Sequence, residues 1–357
     1  MKRSNLLWLL VLCFVAVSSF VILKWSPAKG DVASHSLKDT TLNPGKTDTD
    51  KTNGDSAGNN LAVALDTAAY NQKLIDNTNG DSSGRWPVKA PYPRAGAILP
   101  FKRVIAYYGN LYSKQMGILG ELPENEMIQK LQGEMKKWEA ADPKTPVQPA
   151  LHYICVTAQQ APGSAGKYRL RMPFTQIEKV LAMAAKINAI VFLDIQVGLS
   201  NLQTEVPELE KYLRMPNVHL GIDPEFSMKT GHAPGKVVGT FDAADINYTI
   251  NYLGKLVKEN NLPPKILVVH RFTGPMVTNS SQIKPTPEVQ VVMHMDGWGE
   301  AERKIGTYQR FIYPQPVHFT GFKIFYKNDT KKVNRTEVMQ PAQLLKLKPQ
   351  PIYIQYQ

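Results

Sequence analysis

The feature that most constrains this chain is an alternation. From Arg103 onward, short apolar runs with strand character take turns with amphipathic helical patterns, without interruption. The strand-like runs cover residues 104–108, 150–157, 189–197, 218–223, 266–271, 289–296, 317–326 and 352–356. Apolar residues at helical spacing fill the intervals 124–140, 174–187, 199–214 and 243–259, and more weakly 276–283, 300–311 and 337–347. Strands and helices alternating in this way over about 250 residues predict an α/β fold, a parallel (β/α)8 barrel of the TIM type. A doubly wound open sheet is the other arrangement of such elements, and it is disfavoured because no Gly-rich phosphate turn follows an early strand.

The chain before the barrel reads differently. Lys2 and Arg3 precede an apolar run at 6–23 that Lys24 closes. The run is near the length that spans a bilayer and no small-x-small cleavage site follows it cleanly, so residues 1–25 read as a signal anchor, or else a signal peptide, with the basic end in the cytoplasm. Residues 26–59 are rich in Asp, Thr, Asn, Gly, Ser and Lys and read as a disordered linker, because they hold too little apolar surface to offset the entropy of ordering. Residues 60–102 carry a short amphipathic helix at 60–77 and a Pro-rich extended lead-in at 86–100. That helix is expected either to cover the gap between strands eight and one or to plug the bottom of the barrel. Residues 103–357 are the barrel domain. The expected location is extracytoplasmic, membrane-anchored or secreted, with the membrane as a partner through the N-terminal segment.

The net charge of +12 is spread along the chain, with no basic run interleaved with aromatics, so no nucleic acid is expected as a partner. Such a surface would be drawn to anionic lipid, wall polymer or acidic polysaccharide. The two cysteines, Cys13 and Cys155, fall in segments that cannot meet, so no disulfide framework holds the fold. No Gly-x-Ser-x-Gly elbow, phosphate loop or zinc-knuckle spacing is present, and no cofactor is expected. The barrel is expected to act as a monomer.

Barrel enzymes place their chemistry at the C-terminal ends of the strands. Here strand one ends Tyr107-Tyr108-Gly109-Asn110, strand three carries Asp194 and Gln196, strand four Asp223 and Glu225, and strand five His270-Arg271. Strand six ends His294-Met295-Asp296-Gly297-Trp298, strand seven carries Lys323 and Tyr326, and strand eight ends Gln355-Tyr356. Residues 218–228 alternate with period two, which would set Asp223 and Glu225 on one face about 6 to 7 Å apart along a strand. Paired carboxyls of this kind can divide acid and base work on a sugar. Glu225 is the expected general acid, Asp223 its neighbour that raises the pKa, and Asp296 a base or nucleophile across the barrel. Tyr107, Tyr108 and Trp298 would offer flat faces to sugar rings, and Asn110, Asp194, Gln196, His270, Arg271 and His294 would fix hydroxyls or a charged substituent.

The Asp-x-Glu at strand four, with an aspartate on strand six, resembles the barrel glycoside hydrolases, in particular the muramidases and more distantly the chitinase-type enzymes. That resemblance implies the acid role for Glu225, with Asp223 and Asp296 in support, and a glycan or cell-wall polymer as the ligand. Strand one departs from it, with Tyr107-Tyr108-Gly109-Asn110 in place of an early aspartate. The phrases Ile105-Ala-Tyr-Tyr-Gly-Asn110, Gly221-Ile-Asp-Pro-Glu225 and Met295-Asp-Gly-Trp-Gly299 resemble a group of uncharacterised bacterial secreted or lipoprotein-like (β/α)8-barrel proteins over about residues 86–357, which implies fold and location. Two other classes stay open. His270, His294, Asp296 and Asp223 could converge on a divalent ion in a metal-dependent hydrolase, and a barrel without turnover could serve as a glycan-binding or envelope-structural module.

Overall fold

Each of the eight apolar runs forms a strand, and each strand pairs in parallel with the next one in sequence. In the computed structural model, which describes residues 64–330 and 337–357, the strands are β1 (Arg103–Gly109), β2 (Val147–Ala158), β3 (Ile190–Ile195), β4 (Val218–Ile222), β5 (Lys265–Arg271), β6 (Val289–Met295), β7 (Phe319–Ile324) and β8 (Tyr353–Tyr356). β8 returns to pair with β1, Val104 opposite Tyr353 and Tyr107 opposite Tyr356, so the sheet closes into an α/β barrel of the TIM type. Closure removes the sheet edges and sends all strand C-termini to one face, the mouth.

The outer layer is irregular. The long helices are α1 (Thr67–Thr78), α2 (Glu124–Ala141), α3 (Phe174–Ala185) and α4 (Ala243–Glu259), followed by the shorter α5 (Ala301–Thr307). α2 buries Met127, Leu131, Glu134 and Trp138 along one stripe, and α4 starts at a capping box made by Asp242 and Asp245. The helix expected over 199–214 is instead broken into Leu202–Glu205, a 3-10 turn at Pro207–Leu209 and Glu210–Leu213. Pro207 has no N–H to continue the ladder. Within 276–283 there is a 3-10 turn at Ser280–Gln282, and Val277–Thr278 pairs in parallel with Phe241–Asp242. β2 runs past the barrel and pairs antiparallel with Arg169–Arg171.

Period-two alternation divides the strands between two cores. Outward residues such as Tyr107, Leu151, Leu193, Leu220 and Leu267 join the helices in one apolar cluster. Inward residues near the strand N-termini, including Val104, Ala106, Ala150, Phe192, Val268 and Val292, form a second one that fills the lower barrel. Leu74 of α1 and Ile98 of the lead-in pack against this inner cluster, and Leu99 belongs to it. α1 also bonds to segments that precede strands: Lys73 Nζ donates to Lys144 O, Asn77 Nδ2 to Gln350 O, and Asn79 Nδ2 to Leu345 O and Leu347 O. The helix therefore sits at the bottom of the barrel, which decides between the two positions expected for it. Its first turn begins at Thr67, with Asp66 accepting from Ala69 N.

Residues 1–63, and with them the expected signal anchor, the linker and the start of the expected 60–77 helix, lie outside the described residues. No helix among the described residues is long and apolar enough to cross a membrane.

The bottom plug is locked by one side chain. Gln290, fully buried on β6, accepts from Leu99 N at 3.1 Å and donates to Leu99 O at 2.6 Å. Replacing it by leucine leaves a buried N–H and a buried C=O without partners, at about 1–3 kcal/mol each. Gln290→Leu is expected to lower the unfolding free energy in urea by about 2–5 kcal/mol. An unchanged value would show that the plug does not depend on this clamp.

Candidate active site

The inner faces of the strands change character partway up. Below, the barrel is apolar; above, it holds Tyr108 (β1), His152 (β2), Asp194 (β3), His270 (β5), His294 (β6), Lys323 (β7) and Gln355 (β8), each at most 3% exposed. Gly221 of β4 has no side chain in this layer because there is no room for one. A Cβ at Gly221 would stand 2.4 Å from both Asp194 Oδ1 and His152 Nε2. Above the layer come Gln196, Asp223 and Asp296, still buried, and then Glu225, which is half-buried at the mouth.

Asp223 and Glu225 are not two alternate residues of one strand, as the period-two pattern of 218–228 suggests. β4 ends at Ile222, and Pro224 opens a 3-10 turn at Pro224–Phe226, its ring fixing φ and removing the N–H that a strand would need. Asp223 caps this turn, its Oδ1 accepting from Glu225 N at 3.1 Å, while Gln196 Nε2 approaches its Oδ2 at 3.4 Å. Gly239 clamps the same turn: its N–H donates to Glu225 O at 2.7 Å, and a Cβ there would meet Pro224 O at 2.5 Å.

The ionic contacts are organised around Asp194 and Asp296. Tyr108 Oη donates to Asp194 Oδ2 at 2.9 Å, and both His152 Nε2 and His270 Nε2 lie beside Asp194 Oδ1, at 3.3 and 3.4 Å. His270 Nδ1 lies 3.0 Å from Asp296 Oδ2, and Lys323 Nζ lies 2.9 Å from Asp296 Oδ1 and 3.8 Å above the Tyr108 ring. Burial pushes the Asp194 carboxyl up, but His270 and His152 outweigh it and hold it well below the usual range. Asp296 is likewise raised by burial and then held well down by Lys323 and His270. Burial opposes a charge on His270, yet Asp194 and Asp296 raise it to about 10. His152, with burial dominant, falls to about 4, and burial and the His270 charge hold His294 well below its ordinary value.

Two cations thus balance two carboxylates, and the other two carboxyls are shifted towards their protonated forms. Burial, with Asp194 and Asp296 nearby, pushes Asp223 up to about 7. Burial, then Asp223 and Asp296, push Glu225 up to about 8. A half-buried acid whose pKa is raised to about 8, next to a second carboxyl and within the field of an ionised one, can deliver a proton to a bound leaving group.

The other expected site residues divide into two groups. His270, His294, Asp194 and Gln196 do converge inside the barrel with Tyr108, but Tyr108 is 3% exposed, so its ring lines the inner wall and does not face the mouth as a sugar platform. Tyr107 faces outward into the helix layer, where its hydroxyl meets that of Tyr326 at 3.0 Å; strand alternation sends it to the opposite side from Tyr108. Asn110 is spent on structure, donating to Ile154 O and accepting from Tyr112 N. Arg271 follows the inward His270 and turns the other way, donating to Thr273 O, Gly274 O and Val277 O in the β5–β6 loop. Trp298 is half-buried beyond β6, with the Arg303 guanidinium 5.4 Å from its ring.

Sequence reasoning gave no role to His152, Lys323, Tyr353 or Gln355. His152 lies in mid-strand, away from the strand ends, although it is the one histidine in the run 150–157. Tyr353 Oη meets His152 Nδ1 at 2.5 Å, and Gln355 Nε2 reaches the same nitrogen at 3.1 Å. Beside the mouth, Lys304 and Asp329 form a buried ion pair, and Asp329 also accepts from Gly299 N and Phe325 N, which joins the loops after β6 and β7. In comparisons with known proteins, no family model and no curated protein matches the chain.

Because Lys323 and Asp296 are both buried, deleting one partner strands the other. Lys323→Met is expected to cost about 3–5 kcal/mol of stability, and adding Asp296→Asn should recover part of that loss. Additive costs in this double-mutant cycle, read by chemical unfolding, would show that the two groups do not depend on each other.

Proposed function

We propose that the protein is an extracytoplasmic glycoside hydrolase-like enzyme that acts on a cell-envelope or environmental glycan, with Glu225 as its general acid. The observation that carries this reading is the placement of Glu225 on the strand-four turn, half-buried at the barrel mouth above Asp223 and holding its proton up to about pH 8. In the reaction, Glu225 gives its proton to the glycosidic oxygen as the bond to the sugar breaks. Asp296, kept ionised by Lys323 and His270, stabilises the positive charge that develops on the ring and acts as base or nucleophile towards water or the sugar. Asp223 holds the turn that carries Glu225 and helps keep its proton in place.

A polymer ligand is supported by the rim. Tyr112, Leu170 and Val238 are 56%, 52% and 46% exposed, and they lie on segments that follow β1, β2 and β4, all on the mouth side. Apolar faces at the edge of a polar cleft suit sugar rings, whose CH faces stack while their hydroxyls reach inward. Trp298 adds a fourth such face beyond β6. The basic balance of +12 favours an anionic wall polymer over a neutral one, and the apolar run at 6–23 would hold the barrel at the envelope.

Glu225→Gln keeps the shape of the side chain and cannot deliver a proton. Hydrolysis of a cell-wall glycan panel is expected to fall by about 10² to 10⁴ while glycan binding survives. The wild-type rate should also fall as pH rises through about 8, since the active form of Glu225 is the protonated one. A variant that hydrolyses at the wild-type rate would overturn the acid assignment. Wild-type protein that binds glycan without turnover would assign the barrel to recognition alone.

A further inference from the structure

Three buried atoms in the middle of the barrel face one another in ion-pair contact but form no hydrogen bond. They are His152 Nε2, Asp194 Oδ1 and His270 Nε2, on β2, β3 and β5, and all three residues are 0% exposed. Polar atoms buried in this way normally find partners, so a set of three that share one point calls for a ligand. Their spacing says which kind. Asp194 Oδ1 is 3.3 Å from His152 Nε2 and 3.4 Å from His270 Nε2, and all three atoms lie within 4.8 Å of one another. Donors about 2.0–2.1 Å from a tetrahedral ion stand about 3.3–3.4 Å apart; around an octahedral ion the same edge shrinks to about 3.0 Å.

The other polar atom of each ligand is already held. Tyr108 Oη donates to Asp194 Oδ2, Asp296 Oδ2 sits 3.0 Å from His270 Nδ1, and Tyr353 Oη and Gln355 meet His152 Nδ1. This is how metal-binding imidazoles and carboxylates are oriented, with the second nitrogen or oxygen tied to a fixed partner. Gly221 supplies the space, since even a Cβ there would come within 2.4 Å of two of the three donors. A second group, His270, His294 and Asp296, also clusters, but it is less suited. There Asp296 Oδ1 also lacks a hydrogen bond, but it faces the Lys323 ammonium at 2.9 Å, a cation that a bound ion would have to displace.

We propose that His152 Nε2, Asp194 Oδ1 and His270 Nε2 hold one divalent, zinc-like ion inside the barrel, on the strand layer beneath Asp223. The ion takes the place of the His270 proton as the positive charge beside Asp194. The site does not depend on the hydrolase reading, because its residues and its readout are separate from turnover.

The test uses the full chain, stripped with a chelator, dialysed and titrated with Co²⁺ and with Zn²⁺. Expected are one ion per chain by elemental analysis, a visible cobalt spectrum of tetrahedral type, and a higher melting temperature with Zn²⁺. Asp194→Asn and His152→Gln should weaken binding at least about tenfold, whereas His294→Gln and Glu225→Gln should leave it unchanged. Circular dichroism of each variant separates lost ligands from lost fold, and the wild-type titration stands even if a variant does not fold. Wild-type protein that takes up no stoichiometric ion would overturn the proposal. So would a folded Asp194→Asn that binds as the wild type does, or binding lost selectively in His294→Gln.

Discussion

Four carboxyl groups and three histidines share the upper half of a closed barrel, and the surrounding charges cannot satisfy all of them in ionised form. Two like charges 4 Å apart cost about 4 kcal/mol even at an effective dielectric of about 20. Beside these acids stand two cations, Lys323 and His270, and both are committed to Asp296 and Asp194. Burial, and then the remaining repulsion, push Asp223 up to about 7 and Glu225 up to about 8. The acid at the mouth follows first from its burial and then from this balance. Burial is the main reason that His152 and His294, within the same layer, are held below their ordinary values, and the His270 charge adds to it.

Such a cluster needs a rigid frame, since groups free to move apart would dissipate the coupling. The eight parallel strands supply it, and α1 with the 98–99 segment closes the lower end with apolar side chains and the Gln290 clamp. Polar groups are thus confined to the mouth half, where the close approach of Gly239 fixes the turn carrying Glu225 and the Lys304–Asp329 pair joins the loops after β6 and β7. Stability at the bottom and chemistry at the top are divided along each strand, as in other barrels of this type.

Much of this was legible from the chain alone. Periodicity located all eight strands because each is a continuous apolar run flanked by breakers, and strands buried on both faces need such runs. The acid pair at 223 and 225 was legible too, since acidic residues at a barrel strand end have few structural uses. Its geometry was not: alternation carried the strand through Pro224, where the missing N–H turns the chain into a 3-10 helix. The outward Tyr107 and the loop-bound Arg271 show the limit of reading strand ends as clusters, because neighbouring residues point opposite ways. His152 and Lys323 were passed over for a different reason. Their partners lie 42 and 27 residues away, as the separations 152 to 194 and 296 to 323 show, and only the pairing of neighbouring strands brings them together.

The state of the Glu225 proton is where fold, charge balance and chemistry meet. It can be read directly by carbon NMR of protein carrying labelled glutamate side-chain carboxyls, with Glu225→Gln identifying the resonance, on ion-free protein so that no added charge intervenes. The charge balance predicts a midpoint near 8. A midpoint near the ordinary glutamate value of about 4.3 would contradict it, and would mean that the mouth carries a carboxylate where a general acid is required.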